Sequence, residues 1–373
     1  LIHNGNLTNT RELEKQLFSV DRRHTNSSSD TEMLLNIFAT ELQEQINNKK
    51  DLDPELIFKA VTSLHKRIQG SYAVISLISG HGLLAFRDPY GIRPLVIGKR
   101  ISSENKNEWM VASESLVLEN NDYEIVRDVN PGEAVYISIN GEFYSKQCSN
   151  NPKLFPCAFE YVYLARPDSI MNGISVYKAR LRMGDFLAET IKKSIKDGQI
   201  DVVMPIPDSS RPAAMQVARQ LGIEYREGFF KNRYVGRTFI MPGQQKRKQS
   251  VRQKLNAMSA EFKNKNVLIV DDSIVRGTTS KQIIQMAKFA GANKVFFTSA
   301  APPVRYPHVY GINMPTRDEL IAHNRTIDDI AKKLEIDSLV YQSVEDLRKS
   351  IIADTSINDC LLYTSDAADE ERG

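Results

Sequence analysis

An α/β chain with an antiparallel sheet layer, a polar linker and then a parallel sheet with crossover helices is what the 373-residue sequence predicts. Three observations carry that reading. In the first 145 residues, short apolar runs alternate with Gly, Pro and Asn, as strands joined by tight turns do. Beyond residue 157 the runs are longer and unbroken, as in strands buried on both faces, and helical patterns separate them. Between the two rhythms lies "CSNNPKLFP", which puts a boundary near 145–156. The length also suits about two domains.

In chain order, apolar positions Met33, Leu34, Ile37, Phe38, Leu42 and Ile46 repeat at helical spacing, so 31–46 is a helix with Asp30 as its expected N-cap. Strands are expected at 71–79, 82–88, 94–100, 109–115 and 132–141. In the second half, "DVVMPIP" (201–207), "NVLIVDD" (266–272) and "NKVFFTSAA" (293–301) are the buried strands, and 211–221 and 280–290 the crossover helices. The tail from 360 to 373 is unrelated in character. Its "CLLYTSDAADE" resembles a translated sequencing adapter, so the natural sequence is expected to stop near Asp359 and to be incomplete at both ends.

Composition narrows the classes. With 41% hydrophobic and 25% charged residues the chain is an ordinary globular one. A net charge of +3 says nothing about partners; neither nucleic acid nor a membrane is expected. No apolar run approaches the roughly 18–20 residues of a membrane helix. Three cysteines without regular spacing argue against a disulfide scaffold and fit a reducing cytoplasmic setting.

The chemistry concentrates in "LIVDDSIVRGTT" (268–279). A strand ending at Asp271 and Asp272 delivers two acids to the carboxyl edge of a parallel sheet, where such folds place ligands. Ser273, Ile274, Val275, Arg276, Gly277, Thr278 and Thr279 then lead into a helix, whose free N–H groups and dipole suit a phosphate. Carboxylates beside a phosphate would repel it unless they accept sugar hydroxyls or hold Mg²⁺. The order therefore asks for a phosphorylated sugar. An isolated Asp pair is often only a solvated turn, and neither GxGxxG nor GxxxxGK[ST] occurs; the strand, loop and helix in register carry the specificity.

The run 267–279 resembles the signature of the type I phosphoribosyltransferases. Together with "HNGNLTN" (3–9), "FRDPYGIRPLV" (86–96), "FEYVYLARPDS" (159–169), "PIPDSS" (205–210) and "KNRYVGRTFIMPGQQ" (231–245), it makes residues 1 to about 350 resemble the glutamine phosphoribosylpyrophosphate amidotransferases of enterobacterial type. The resemblance implies a glutamine amidotransferase domain over 1–147, with the αββα layers of the N-terminal-nucleophile fold, and a type I phosphoribosyltransferase domain over 148–359. It implies glutamine-dependent formation of phosphoribosylamine, the first committed step of purine synthesis.

By the same resemblance Asp271 and Asp272 hold the ribose hydroxyls of phosphoribosyl pyrophosphate and 274–279 its 5-phosphate. Lys231, Arg233, Tyr234 and Arg237 belong to a lid, within a basic run that would otherwise read as a solvated face or a nucleic-acid surface. Ser209, with Asp271 and Asp272, belongs to a Mg²⁺ site. Asn4 and Gly5 form an oxyanion hole, suited to it as neutral donors although Asn-Gly is foremost a turn signal. Asp30 pairs with the glutamine ammonium, and His3 is structural. The nucleophile is an amino-terminal cysteine expected ahead of Leu1, for which neither Cys148 nor Cys157 substitutes, so the chain as given is expected to use at most free ammonia. Cys157 and His308 fall near the first two ligand positions of members with an iron-sulfur cluster, and no cluster is expected. Homotetramers and feedback by AMP and GMP are further implications. Two rival readings are a phosphoribosyl-pyrophosphate-sensing regulator, which would carry a nucleic-acid-binding domain, and a simple base phosphoribosyltransferase, which would not need residues 1–150.

Overall fold

The computed structural model describes residues 1–46, 52–231, 255–310 and 316–353, together with 355, 357 and 360. Its first half is layered. Strands β1 (Ile2–Leu7), β2 (Gly70–Ile78), β3 (Gly82–Arg87), β7 (Glu133–Ser138) and β8 (Phe143–Gln147) form an antiparallel sheet in the order β1-β2-β3-β7-β8. Helices α1 (Thr10–Ser19), α2 (Asp30–Ile46) and α3 (Pro54–Arg67) cover one face, burying Leu13, Leu17, Leu34, Ile37, Phe38, Ile57 and Leu64 against Tyr72, Leu84 and Phe86. A second sheet of β4 (Val96–Ile101), β5 (Asn107–Ala112) and β6 (Glu124–Asp128), in the order β5-β4-β6, packs on the other face through Ala73, Ala85, Ile97, Val111 and Val135. One helical layer and both sheets of the expected architecture are thus among the described residues.

The local causes are ordinary. Helix α3 starts where Asp53 accepts the N–H of Leu56 at 2.9 Å and Pro54 occupies the first turn, where no N–H is needed. The expected N-cap of α2 is corrected: Asp30 is the first residue of that helix, and its carboxylate turns back to accept the N–H of Leu7 at 3.1 Å. An acid in the first turn still suits the helix dipole. Strand β1 was not expected, because "HNGN" looks like a turn; it pairs with β2 in register, His3 opposite Val74 and Gly5 opposite Tyr72.

At the end of β3 the chain enters a tightly wired loop. The buried Asp88 carboxylate accepts N–H groups of Tyr72, Tyr90, Ile92 and Arg93 at 2.9–3.4 Å. Beside it, buried Arg87 donates to the carbonyls of Gly91, Arg93 and Val129 at 2.7–2.8 Å and to Asn172 Oδ1 at 3.0 Å. Two opposite charges and their hydrogen bonds thus define residues 87–93.

The second half is a parallel sheet of β11 (Val202–Pro205), β12 (Glu224–Tyr225), β15 (Asn266–Asp271), β16 (Lys294–Ser299) and β17 (Ser338–Tyr341), in the order β12-β11-β15-β16-β17. Helix α5 (Val176–Ser194) and α6 (Arg211–Leu221) cover one face with helix Val344–Ile352, and helices Thr278–Phe289 and Ile327–Leu334 cover the other. A short hairpin, β13 (Phe229–Lys231) with β14 (Leu255–Ala257), extends from it. The three expected buried strands are present. Cys360, expected in an extraneous tail, is buried against α5 and its neighbours, whereas 361–373 lie outside the described residues.

The two halves touch around Ile92, Cys157, Phe159, Val304 and Leu320, with Val275 packed against them. Asn6 Nδ2 also donates to the Val309 carbonyl at 2.8 Å, and Ser71 Oγ to the Tyr310 carbonyl at 2.9 Å.

Removing one partner of a buried charge pair costs about 3–5 kcal/mol. Asp88→Ala is therefore expected to lower the urea midpoint by that much stability, and Asp88→Asn, which keeps one carbonyl acceptor, by less; equal midpoints for Asp88→Ala and the parent would contradict the wiring.

Candidate active sites

In chain order the parallel strands run 2-1-3-4-5, so the connections diverge between β11 and β15, and the crevice outside their carboxyl ends is where such sheets bind ligands. The loop after β11 carries Asp208 and Ser209; β15 ends on Asp271, followed by Asp272. Ser209 Oγ donates to Asp272 Oδ2, and Ser273 Oγ donates to Asp272 Oδ1 at 2.8 Å. Asp271 Oδ1 accepts only the Asp272 N–H, at 2.9 Å, among the described contacts. Lys231, at the end of β13, reaches the same crevice and pairs with Asp208 at 2.9 Å. Arg233, Tyr234 and Arg237 lie outside the described residues.

Electrostatically the crevice is a like-charge site. Burial pushes the Asp271 carboxyl well up, and Asp272 beside it adds to the shift; burial pushes Asp272 up too, against hydrogen bonds from Ser209 and Ser273 and the field of Arg180. That arginine is buried in α5 and donates to the carbonyls of Tyr161 and Ala165 at 2.8 Å. No lysine or arginine pairs directly with either acid among the described residues. Two buried carboxylates short of a cation fit a divalent ion or a set of hydroxyl donors, with Ser209 adding an oxygen. No group of three or more His, Cys, Asp or Glu gathers as a metal site among the described residues.

The loop after Asp272 differs in part from expectation. The side chains of Ile274 and Val275 do not face the crevice: Ile274 is fully buried in the core below the sheet, and Val275 packs on the contact between the halves. Only their backbone is available to a ligand. Arg276 pairs with Glu319 at 2.6 Å. Helix Thr278–Phe289 starts two residues earlier than expected, so Thr278 and Thr279 form its first turn, with their N–H groups at the positive end of the helix. Gly277 makes the entry possible, since its φ of 73° is left-handed and a Cβ there would lie 2.2 Å from Ile321 Cδ1.

A second cluster sits on β1. Asn4 Oδ1 accepts from both Nε and Nη2 of Arg93, at 3.2 and 2.8 Å. Gly5 has φ 141° and passes so near the β2 backbone that a Cβ would lie 2.1 Å from the Ser71 carbonyl oxygen. Asp30 Oδ2 lies 3.6 Å from His3 Nδ1. Burial pushes the Asp30 carboxyl up, but the contacts with His3 and the Leu7 N–H outweigh it and hold it below the usual range. The structure thus brings Asn4, Gly5, His3 and Asp30 together. Arg93 was missed as a site residue; its only signal was its place in "FRDPYGIRPLV".

Neither internal thiol is poised as a nucleophile. Cys148 Sγ lies 3.5 Å from the Phe58 carbonyl and burial raises its pKa; burial pushes Cys157 up to about 11. Cys157 Sγ is 3.6 Å from Nε2 of His308, an imidazole that burial pushes down to about 3. His308 Nδ1 accepts the Tyr310 N–H at 3.2 Å, so Nε2 carries the proton and points it at the sulfur.

A raised carboxyl pKa has a fixed sign. The Asp271 carboxyl titrates above its ordinary 3.8 when folded, so its contribution is full below that value and is lost as pH rises through the folded pKa. In the unliganded protein Asp271→Asn is expected to remove that loss and to raise the thermal midpoint at neutral pH by about 2 °C or more. A lower midpoint would contradict the like-charge account.

A profile described as "Glutamine amidotransferase domain" matches residues 1–120, and one described as "Phosphoribosyl transferase domain" matches 175–308. The amidophosphoribosyltransferase of Pseudomonas aeruginosa is 59% identical over 93% of this chain and 69% of its own length, and that of Escherichia coli 55% identical over 95% and 70%. Among solved structures, the glutamine phosphoribosylpyrophosphate amidotransferase of Bacillus subtilis complexed with ADP and GMP superposes with a TM-score of 0.80 at 36% identity, over 96% of this chain and 74% of that one. On identity and coverage of this extent, with a paired-carboxylate crevice in one half and the Asn4, Gly5, His3 and Asp30 cluster in the other, the chain belongs to the amidophosphoribosyltransferase family.

Proposed function

We propose that the chain carries the two sites of a glutamine-dependent phosphoribosyl transfer. Glutamine is hydrolysed beside β1, and the ammonia attacks C1 of phosphoribosyl pyrophosphate at the crevice between β11 and β15, giving 5-phosphoribosylamine, pyrophosphate and a proton. The observation that carries the reading is the convergence of Asp271, Asp272 and Ser209 beside a left-handed glycine and an open helix start.

At the crevice Asp271 and Asp272 accept the ribose 2- and 3-hydroxyls, which relieves their buried charge. Backbone N–H groups of 273–279 and the hydroxyls of Ser273, Thr278 and Thr279 hold the 5-phosphate. Lys231 moves from Asp208 to the pyrophosphate, joined by Arg233, Tyr234 and Arg237 of the lid; a closed lid keeps water from the sugar cation that forms as pyrophosphate departs. Ser209, Asp271 and Asp272 are the residues that would hold Mg²⁺, whose charge stabilises the leaving pyrophosphate when bound.

Beside β1, Asn4 Nδ2 and the Gly5 N–H donate to the oxyanion formed when a thiolate attacks the glutamine carboxamide, and Asp30 binds the substrate ammonium. The high pKa of Cys148 and Cys157 supports a nucleophile other than these two. An internal passage for ammonia is part of the reading, with the two halves meeting through Ile92, Cys157, Phe159, Val304 and Leu320. Feedback by AMP and GMP belongs to the same reading; the binding of purine nucleotides is supported by the ADP and GMP named with the Bacillus subtilis structure. Homotetramers and a cytoplasmic location complete the reading.

Hydrogen bonds to charged groups are worth roughly 1.5–3 kcal/mol. Asp272→Asn is expected to raise the KM for phosphoribosyl pyrophosphate by about tenfold or more in ammonium-supported pyrophosphate release; an unchanged KM would remove the assignment. In the full-length protein, Cys148→Ala and Cys157→Ala should each leave glutamine-supported turnover in place, and its abolition by either would identify that thiol as the nucleophile instead.

A further inference from the structure

Asn4 is a useful oxyanion donor only if its amide presents nitrogen, not oxygen, to the substrate. An asparagine side chain is nearly symmetric, and a half-turn about its last bond exchanges the two atoms. A guanidinium removes the ambiguity, because it has donors only. Nε and Nη2 of Arg93 both converge on one atom of Asn4, at 3.2 and 2.8 Å, so that atom is the carbonyl oxygen and Nδ2 is directed away from Arg93.

Arg93 is itself immobilised. Its guanidinium is buried, and its third nitrogen, Nη1, lies 3.1 Å from Glu160 Oε1, an ion contact without hydrogen-bond alignment. Its backbone is held from both sides, the N–H by Asp88 and the carbonyl by Arg87. Glu160 opens the π-turn Glu160–Leu164, which follows the linker and leads into the second half. The orientation of a donor on β1 is thereby tied to a carboxylate beyond the linker.

We propose that Arg93 is a positioning residue for glutamine hydrolysis, fixing Asn4 with its amide nitrogen toward the substrate, and that Glu160 anchors Arg93 in that pose. The inference rests on the reading of Asn4 as an oxyanion donor. Arg93 acts through Asn4, and its loss costs less than the roughly 10²–10³-fold that removal of an oxyanion donor costs.

The test is a double-substitution cycle in the full-length protein, reading kcat and KM for glutamine from glutamate release, each normalised to the ammonium-supported rate so that loss of folded protein cancels. Arg93→Met should lower kcat about 10- to 100-fold with the KM for glutamine within about twofold. Arg93→Lys, which keeps a charge for Glu160 and a single donor head for Asn4, should lower it less. In an Asn4→Ala background either change should add under about threefold, because nothing remains to be oriented. Should Arg93→Met not fold, Arg93→Lys with and without Asn4→Ala decides by the same comparison. Full multiplication of the two losses, an effect confined to KM, or an unchanged kcat in Arg93→Met while Asn4→Ala falls would overturn the proposal and leave the glutamine site standing. An unchanged kcat in Asn4→Ala would overturn the site reading itself, and the proposal with it.

Discussion

The buried pair of Arg87 and Asp88 is the constraint on which both sites depend. Taking two charges out of water is costly, and the cost is met only where hydrogen bonds satisfy both groups. Here Asp88 gathers four N–H groups and Arg87 three carbonyls and an amide oxygen. Loop 87–93 can hardly take another path without stranding one of them. That path delivers Ile92 to the contact between the halves and Arg93 to Asn4. Through Asn172, Arg87 reaches past the linker. Two buried opposite charges, each satisfied by its own hydrogen bonds, thus set how loop 87–93 meets both β1 and the second half.

The crevice in the parallel sheet obeys the opposite logic. Asp271 and Asp272 lie side by side, buried, with only hydroxyls, one backbone N–H and the distant field of Arg180 to offset them. Such a pair destabilises the empty protein, and a ligand that donates hydroxyls or brings a cation relieves it. The rest of the loop is made rigid by different means: Ile274 is sunk in the core, the Val275 carbonyl accepts the Ile321 N–H at 2.9 Å, and Gly277 fits against Ile321.

Much of this was legible in the sequence, for reasons tied to particular residues. The unbroken runs at 201–207, 266–272 and 293–301 could be nothing but buried strands or short core helices, and the intervening helical patterns decided between them. Asp271, Asp272 and Gly277 were legible because strand, loop and helix signals meet there. Strand β1 was not, since Asn4-Gly5 is locally a turn and only pairing with β2 makes it extended. The role of Asp30 was half legible: an acid at a helix start is a capping signal, but its choice of Leu7 and His3 over its own helix is a tertiary fact. The inward side chains of Ile274 and Val275 and the grip of Arg93 on Asn4, 89 residues away, leave no periodic trace.

The Cys157 thiol sits where residues from both halves close over it, against a neutral imidazole that pins the sulfur without activating it. Its reactivity is held down twice, by burial of the sulfur and by the raised thiol pKa that burial causes. An alkylating reagent reaches that sulfur only when the packing of Ile92, Phe159, Val304 and Leu320 around it loosens, so covalent labelling there reports on the opening of the contact between the two halves.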